Sequence, residues 1–192
     1  MTLKGLQLLR CVGCLFVLQA HINRDFMVGF FSLDIFFIIS AFVMAMIITK
    51  SNQTQAGFMK GRIARVLPLY WSLTLLIFVL ALLTPSLQGS TTANPVNLLK
   101  SLFFIPYYKE NGLIDPILAV AWTLNYEILF YFFCTLSFFL RSQHRIVFVS
   151  AGMLSVYSIA VSQQGQGSAL ADFYAQYFML EFPIGMMIWV LF

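Results

Sequence analysis

Charge is scarce in this chain: 11 Lys and Arg with 7 Asp and Glu make up only 9% of its 192 residues, against roughly 25% in soluble domains. An ordinary water-soluble domain is excluded, because its surface needs far more ionisable side chains to cover it. Cysteine is equally sparse. Cys11, Cys14 and Cys134 are odd in number and lie inside apolar runs, so neither a disulfide framework nor a zinc ribbon is indicated, and they read as soft core residues. Cys11-Val12-Gly13-Cys14 has redox-motif spacing but lacks the surrounding βαβ pattern. The net charge of +4 comes from short basic clusters between apolar runs. No basic face forms, which argues against a nucleic-acid partner. No small-x-small cleavage site follows Lys4 and Arg10, so the N-terminal apolar stretch reads as a retained span.

Apolar side chains fill the space that charge leaves, at 60% of the chain, with 21 Phe, 8 Tyr and 3 Trp. Mean hydropathy is +0.87. A crossing helix needs about 20 apolar residues, and six segments approach that length: 5 to 22, 28 to 49, 67 to 84, 117 to 140, 146 to 162 and 171 to 192. The expected fold is all-α, a polytopic transmembrane bundle of about six spans forming a single membrane-embedded domain over 1–192, with lipid as its solvent. Between the third and fourth spans, Val96 to Tyr108 suits an interfacial or re-entrant helix, with Leu98, Leu99, Leu102 and Phe103 on one face and Lys100 and Lys109 wet. With the N-terminus cytoplasmic, Lys4, Lys50, Lys60, Arg62, Arg65, Arg141 and Arg145 lie inside, and Arg24, Lys100 and Lys109 outside. The positive-inside rule supports that orientation. The chain ends at Trp189-Val190-Leu191-Phe192 without a polar flank, and so reads as truncated at the C-terminus. No internal repeat supports an inverted-repeat transporter.

Ionisable residues inside apolar spans cost about 2.5 to 3.5 kcal/mol each on insertion scales, so each needs a partner or a task. Arg10 and His21, 11 positions apart, return to within about 20° of one helical face at depths roughly 16 Å apart. Gln7, Cys14 and Leu18 or Val17 extend that stripe, which should face a protein interior or a watery cavity. Asp34, near the outer end of the second span, lies close to where His21 must be. Pairing would fix the imidazole tautomer and leave the other nitrogen as a base; Arg24 or backbone amides are equally good partners on spacing alone. Arg62 and Arg65 stand at i, i+3 beside Phe58, an arrangement suited to phosphate, although a basic loop facing lipid headgroups looks the same. Thr123, Glu127, Tyr131 and Cys134 recur on one face of the fourth span. Glu127 should point into the bundle, toward Arg10 or into a structural ion pair. Glu181, between Tyr177 and Pro183, marks a kink and has no assigned role. His144 reads as solvated.

Four blocks together resemble the integral-membrane acyltransferases of family 3, which O-acylate surface polysaccharides. Leu8-Leu9-Arg10 followed by His21 is similar to that family's Arg-x10-His signature. Leu33-Asp34-Ile35-Phe36-Phe37-Ile38-Ile39-Ser40-Ala41-Phe42 is similar to its (G/S)-x-D-hydrophobic-F-F-hydrophobic-x-S-G-F segment. Phe58 to Trp71 resembles its Arg-x-x-Arg block, and Trp122-Thr123-Leu124-Asn125-Tyr126-Glu127 its W-(S/T)-L-x-x-E. Ala41 replaces the usual glycine, and the chain is shorter than family members, which carry further C-terminal spans.

The resemblance implies transfer of an acyl group, most often acetyl, from acyl-coenzyme A to a hydroxyl of a sugar or glycolipid, in the bacterial inner membrane and without a metal. It assigns Arg62 and Arg65 to the coenzyme phosphates, and Arg10, His21, Asp34 and Glu127 to the catalytic set. A homo-oligomer is compatible with it. The rival reading is a transporter or channel subunit in which Arg10, His21, Asp34 and Glu127 line a proton or substrate path.

Overall fold

The computed structural model describes residues 4–23, 26–50, 53–84 and 92–191, and within them leaves out the side chains of residues 4, 20, 21, 23 and 26–30. Every regular element among the described residues is a helix. The α-helices are α1 (Lys4–Asn23), α2 (Phe26–Lys50), α3 (Gln55–Leu83), α4 (Pro95–Leu102), α5 (Thr123–Leu136), α6 (Ser142–Ser162), α7 (Ala169–Tyr174) and α8 (Phe178–Leu191). Among the described residues four helical stretches are long and apolar enough to cross a membrane: Phe31–Lys50, Gln55–Leu83, Ala119–Phe139 and Ser142–Ser162. Gly5–Gln19 and Phe178–Leu191 are shorter apolar helices.

Boundaries differ from expectation where local chemistry outweighs hydropathy. The third span starts at Gln55 rather than 67, because Thr54 caps it by accepting the Gly57 amide at 3.1 Å. Arg62 and Arg65 therefore lie inside one continuous helix. Pro68 sits in the middle of it and lacks the amide that would bond back to Ala64. The expected final span is interrupted at Ala175–Tyr177, ahead of Glu181 and Pro183, so the break falls before the kink predicted at those residues.

α2 forms the axis, packed by α1, α5, α6 and α8, while α3 leans on α5 and α4. Phe37 of α2 interlocks with Tyr126, Phe178 and Phe182, and Phe182 in turn with Phe130, their ring centroids 4.5 Å apart. α2 and α8 run parallel: Gly185 lies over Ile38 and Ala41, and further along Trp189 Nε1 donates to Thr49 Oγ1 at 3.1 Å. The Lys50 end of α2 is capped by Arg145, whose Nη1 donates to the Ile48 carbonyl at 2.7 Å.

At the opposite end an irregular segment, 103–118, folds over the bundle. α4 begins with Asn94 accepting the Val96 amide at 2.8 Å and Pro95 in its first turn, and gives way at Phe104, where φ is 58°. Ser101 is the hub beneath: Tyr70 donates to its carbonyl at 2.7 Å and Ile117 N to its hydroxyl at 2.9 Å. Lys109, expected to be wet, is instead only 7% exposed. Burial holds its amine below the usual range and pushes the Asp115 carboxyl up, while the attraction between them opposes both shifts. The Tyr108 hydroxyl and the Gly165 amide donate to the Asp172 carboxylate, which ties the segment to α7.

α1 departs from expectation. It packs chiefly on α2, with Gly13 against the Phe36 ring, so Gln7, Cys14 and Leu18 are exposed instead of facing an interior. Cys11 is exposed too, and of the three cysteines Cys134 alone is a core residue.

Candidate functional site

A cavity of about 320 Å³ opens between α1, α2, α3 and α5, within the size range of small-molecule sites. Three arginines line it, Arg10 from α1 and Arg62 and Arg65 from α3, together with Glu127 and Tyr131 from α5 and Ser40 from α2. Residues separated by more than a hundred positions thus meet because α3 and α5 close over α2. Arg10 reaches this wall although most of its expected stripe does not.

Glu127 is the acidic member, and its Oε1 is already engaged. It accepts from Ser40 Oγ at 3.1 Å and from the Tyr131 hydroxyl at 2.8 Å. Tyr131 lies one turn beyond Glu127, so the polar face expected on the fourth span is real, and Thr123 lines the cavity beside it. Ser40 completes this clamp from a different helix, which spacing along the fourth span did not reveal.

Arg62 is the unsatisfied member. Its guanidinium lies over the Phe58 ring at 5.8 Å, and its Nε is buried without a hydrogen-bond partner. A buried cationic donor left unpaired is costly. Three arginines facing one occupied carboxylate make the cavity cationic, and an anion supplying forked acceptors would relieve that cost.

Asp34 is not among the residues that line the cavity, although Leu33, Phe36 and Phe37 around it on α2 are. Its Oδ1 is buried without a hydrogen-bond partner, and the neighbour that the structure gives it is the carboxyl of Glu181 on α8. The partners weighed for it from spacing, the side chains of His21 and Arg24, lie outside the described residues; His21 itself falls in the last turns of α1. The Asp34–Glu181 meeting went unread in the sequence, although Gly185 one turn after Glu181 and Ala41 on α2 are the small residues that close approach requires. His144 is exposed, with its Nε2 3.1 Å from Gln143 Nε2. Among the described residues no group of three or more His, Cys, Asp or Glu comes together.

Helices of this length and hydropathy define an integral membrane protein, here with a cationic, ligand-sized cavity inside its bundle. The chain belongs to acyltransferase family 3, whose acyltransferase domain matches it over residues 3–192. It is also 34% identical over 169 residues to the exopolysaccharide production protein ExoZ of Rhizobium meliloti (strain 1021), a match covering 86% of this chain. The chain spans about half the length of that relative, 52%. No solved structure matches it.

Proposed function

We propose that this chain carries the donor side of a membrane O-acyltransferase, which moves an acyl group, acetyl above all, from cytoplasmic acyl-coenzyme A to a hydroxyl of a sugar or glycan at the outer face. The observation that carries the reading is Arg62: a buried, unpartnered Nε beside Arg65 and Arg10 in one cavity, in a chain of an acyltransferase family. In this reading Arg62 and Arg65 hold coenzyme phosphates at the end of the bundle that carries Lys50, Arg141 and Arg145, which is taken as cytoplasmic because basic residues gather there. The thioester arm runs along α1 past Arg10. His21, about 16 Å further along the helix axis, acts as general base.

The acceptor hydroxyl oxygen attacks the thioester carbonyl, its proton passes to His21, and the carbon–sulfur bond breaks to release coenzyme A. Asp34 orients the imidazole, and Glu127, held by Ser40 and Tyr131, fixes the cavity floor. Production of an exopolysaccharide by the relative supports a glycan acceptor. The relative's greater length leaves room for acceptor-binding elements beyond this stretch.

Release of coenzyme A from labelled acetyl-coenzyme A, in membranes carrying the chain, tests the reading. His21→Ala should abolish transfer and leave coenzyme binding intact. Arg62→Ala with Arg65→Ala should weaken binding by about tenfold or more, since a hydrogen bond to a charged group contributes about 1.5 to 3 kcal/mol. Unchanged transfer in the first variant removes His21 as the base, and unchanged binding in the second removes the cavity as the donor site.

A further inference from the structure

Glu181 has no place in the chemistry above, yet it is one of the most buried charged-type side chains of the described chain, 5% exposed. Its position follows from a helix crossing. A Cβ on Gly185 would stand 2.4 Å from the Ile38 carbonyl oxygen and 2.7 Å from the Ala41 Cβ, so at this level only glycine lets α8 touch α2. Because the two helices run parallel, the residues one turn earlier on each, Glu181 and Asp34, are brought face to face. The register of the crossing sets their carboxyls against each other. One oxygen of each, Asp34 Oδ1 and Glu181 Oε2, is buried with no partner.

An ionised carboxylate only accepts hydrogen bonds, so two carboxyls bond to each other only while one of them holds a proton. Two bare carboxylates at this separation in an apolar site would repel strongly. A protonated partner does the opposite: it donates one bond and fixes where the other carboxylate points.

We propose that Glu181 is a positioning residue for Asp34: the two carboxyls share one proton, and Glu181, fixed by the α2–α8 crossing, holds the Asp34 carboxyl in the orientation its task requires. The task is the one given above, orientation of His21, so this inference rests on the acyltransferase reading. Gly185 is then part of the same device, since it sets the distance between the two acids.

Two measurements on the full chain in lipid vesicles decide it, and they fail separately. Infrared difference spectra need no turnover. The shared proton predicts a protonated-carboxyl carbonyl band in the parent that is lost or displaced in both Glu181→Gln and Asp34→Asn. A spectrum without that band, or with a band indifferent to both substitutions, overturns the pair. Acyl-transfer kinetics test positioning: Glu181→Leu, which fills the space without donating, should lower kcat by about tenfold or more with KM for acetyl-coenzyme A unmoved. Glu181→Gln, whose amide can donate to Asp34, should recover most of that loss. Equal damage in both variants, or an effect confined to KM, overturns the positioning role. Absence of coenzyme A release in the parent refutes the acyltransferase reading instead, and with it the task assigned to Asp34, while the infrared spectra still decide whether the acids share a proton.

Discussion

Ser40 and Tyr131 direct their hydroxyls at one oxygen, Glu127 Oε1, from two different helices. Tyr131→Phe removes one donor without changing shape, and should cost about 1.5 to 3 kcal/mol because the acceptor is charged. Reversible unfolding in mixed micelles measures it; a cost near zero would show that Ser40 alone suffices. At this scale the sequence was informative about identity and weak about pairing. Arg10, Arg62, Arg65 and Glu127 stood out because lipid penalises them wherever they are embedded, and all four line one cavity. Periodicity reports only which face of its own helix a residue occupies. The capture of Glu127 by Ser40, 87 positions away, and of Asp34 by Glu181 therefore lay beyond it.

Helices were legible wherever an apolar run dominated, and misjudged where a cap or a break decided. Thr54 starts α3 twelve residues earlier than hydropathy suggested, with the basic block inside it. The pause at Ala175–Tyr177 divides what looked like one final span. Gly185 shows how much one residue controls at this scale. Gly185→Ala pushes a methyl group into the Ile38 carbonyl, which is backbone and cannot swing aside. We expect a loss of about 1 to 3 kcal/mol, the usual cost of overpacking, read as a lower unfolding midpoint. Parent-like stability would mean that α8 slides freely along α2. Burial of Lys109 was hidden for a different reason: segment 103–118 has no regular period to read, and its course is set by Ser101, which Tyr70 holds and whose hydroxyl meets Tyr107 and Ile117 of the segment.

Across the whole molecule the two ends differ in what holds them. At one end Arg145 and Trp189 bind the last turns of α2. At the other, segment 103–118 is tied to α7 through Asp172, whose carboxyl is held below the usual carboxylate range by the Tyr108 hydroxyl and then by the Gly165 amide. A depressed carboxyl contributes stability above its unfolded value, near pH 4, and loses it as the pH falls through the folded one. Acidification below about pH 4 should therefore speed hydrogen exchange in 103–118, and Tyr108→Phe should raise exchange at neutral pH and flatten that acid response. Equal exchange at both pH values in the parent would show that Asp172 does not fasten the segment. The pairing of α2 with α8 bears also on how the chain is made. Thr49 and Trp189, which join these helices, are 140 positions apart, so a ribosome that has finished α2 must add five further helices before its main neighbour emerges. Until then Asp34 has no Glu181 to meet, and the nascent α2 must be sheltered by the insertion machinery. Substitutions that weaken this late docking should thus show first as lower yield in the membrane, through removal of half-assembled chains by quality-control proteases, before any change in the rate of the finished protein.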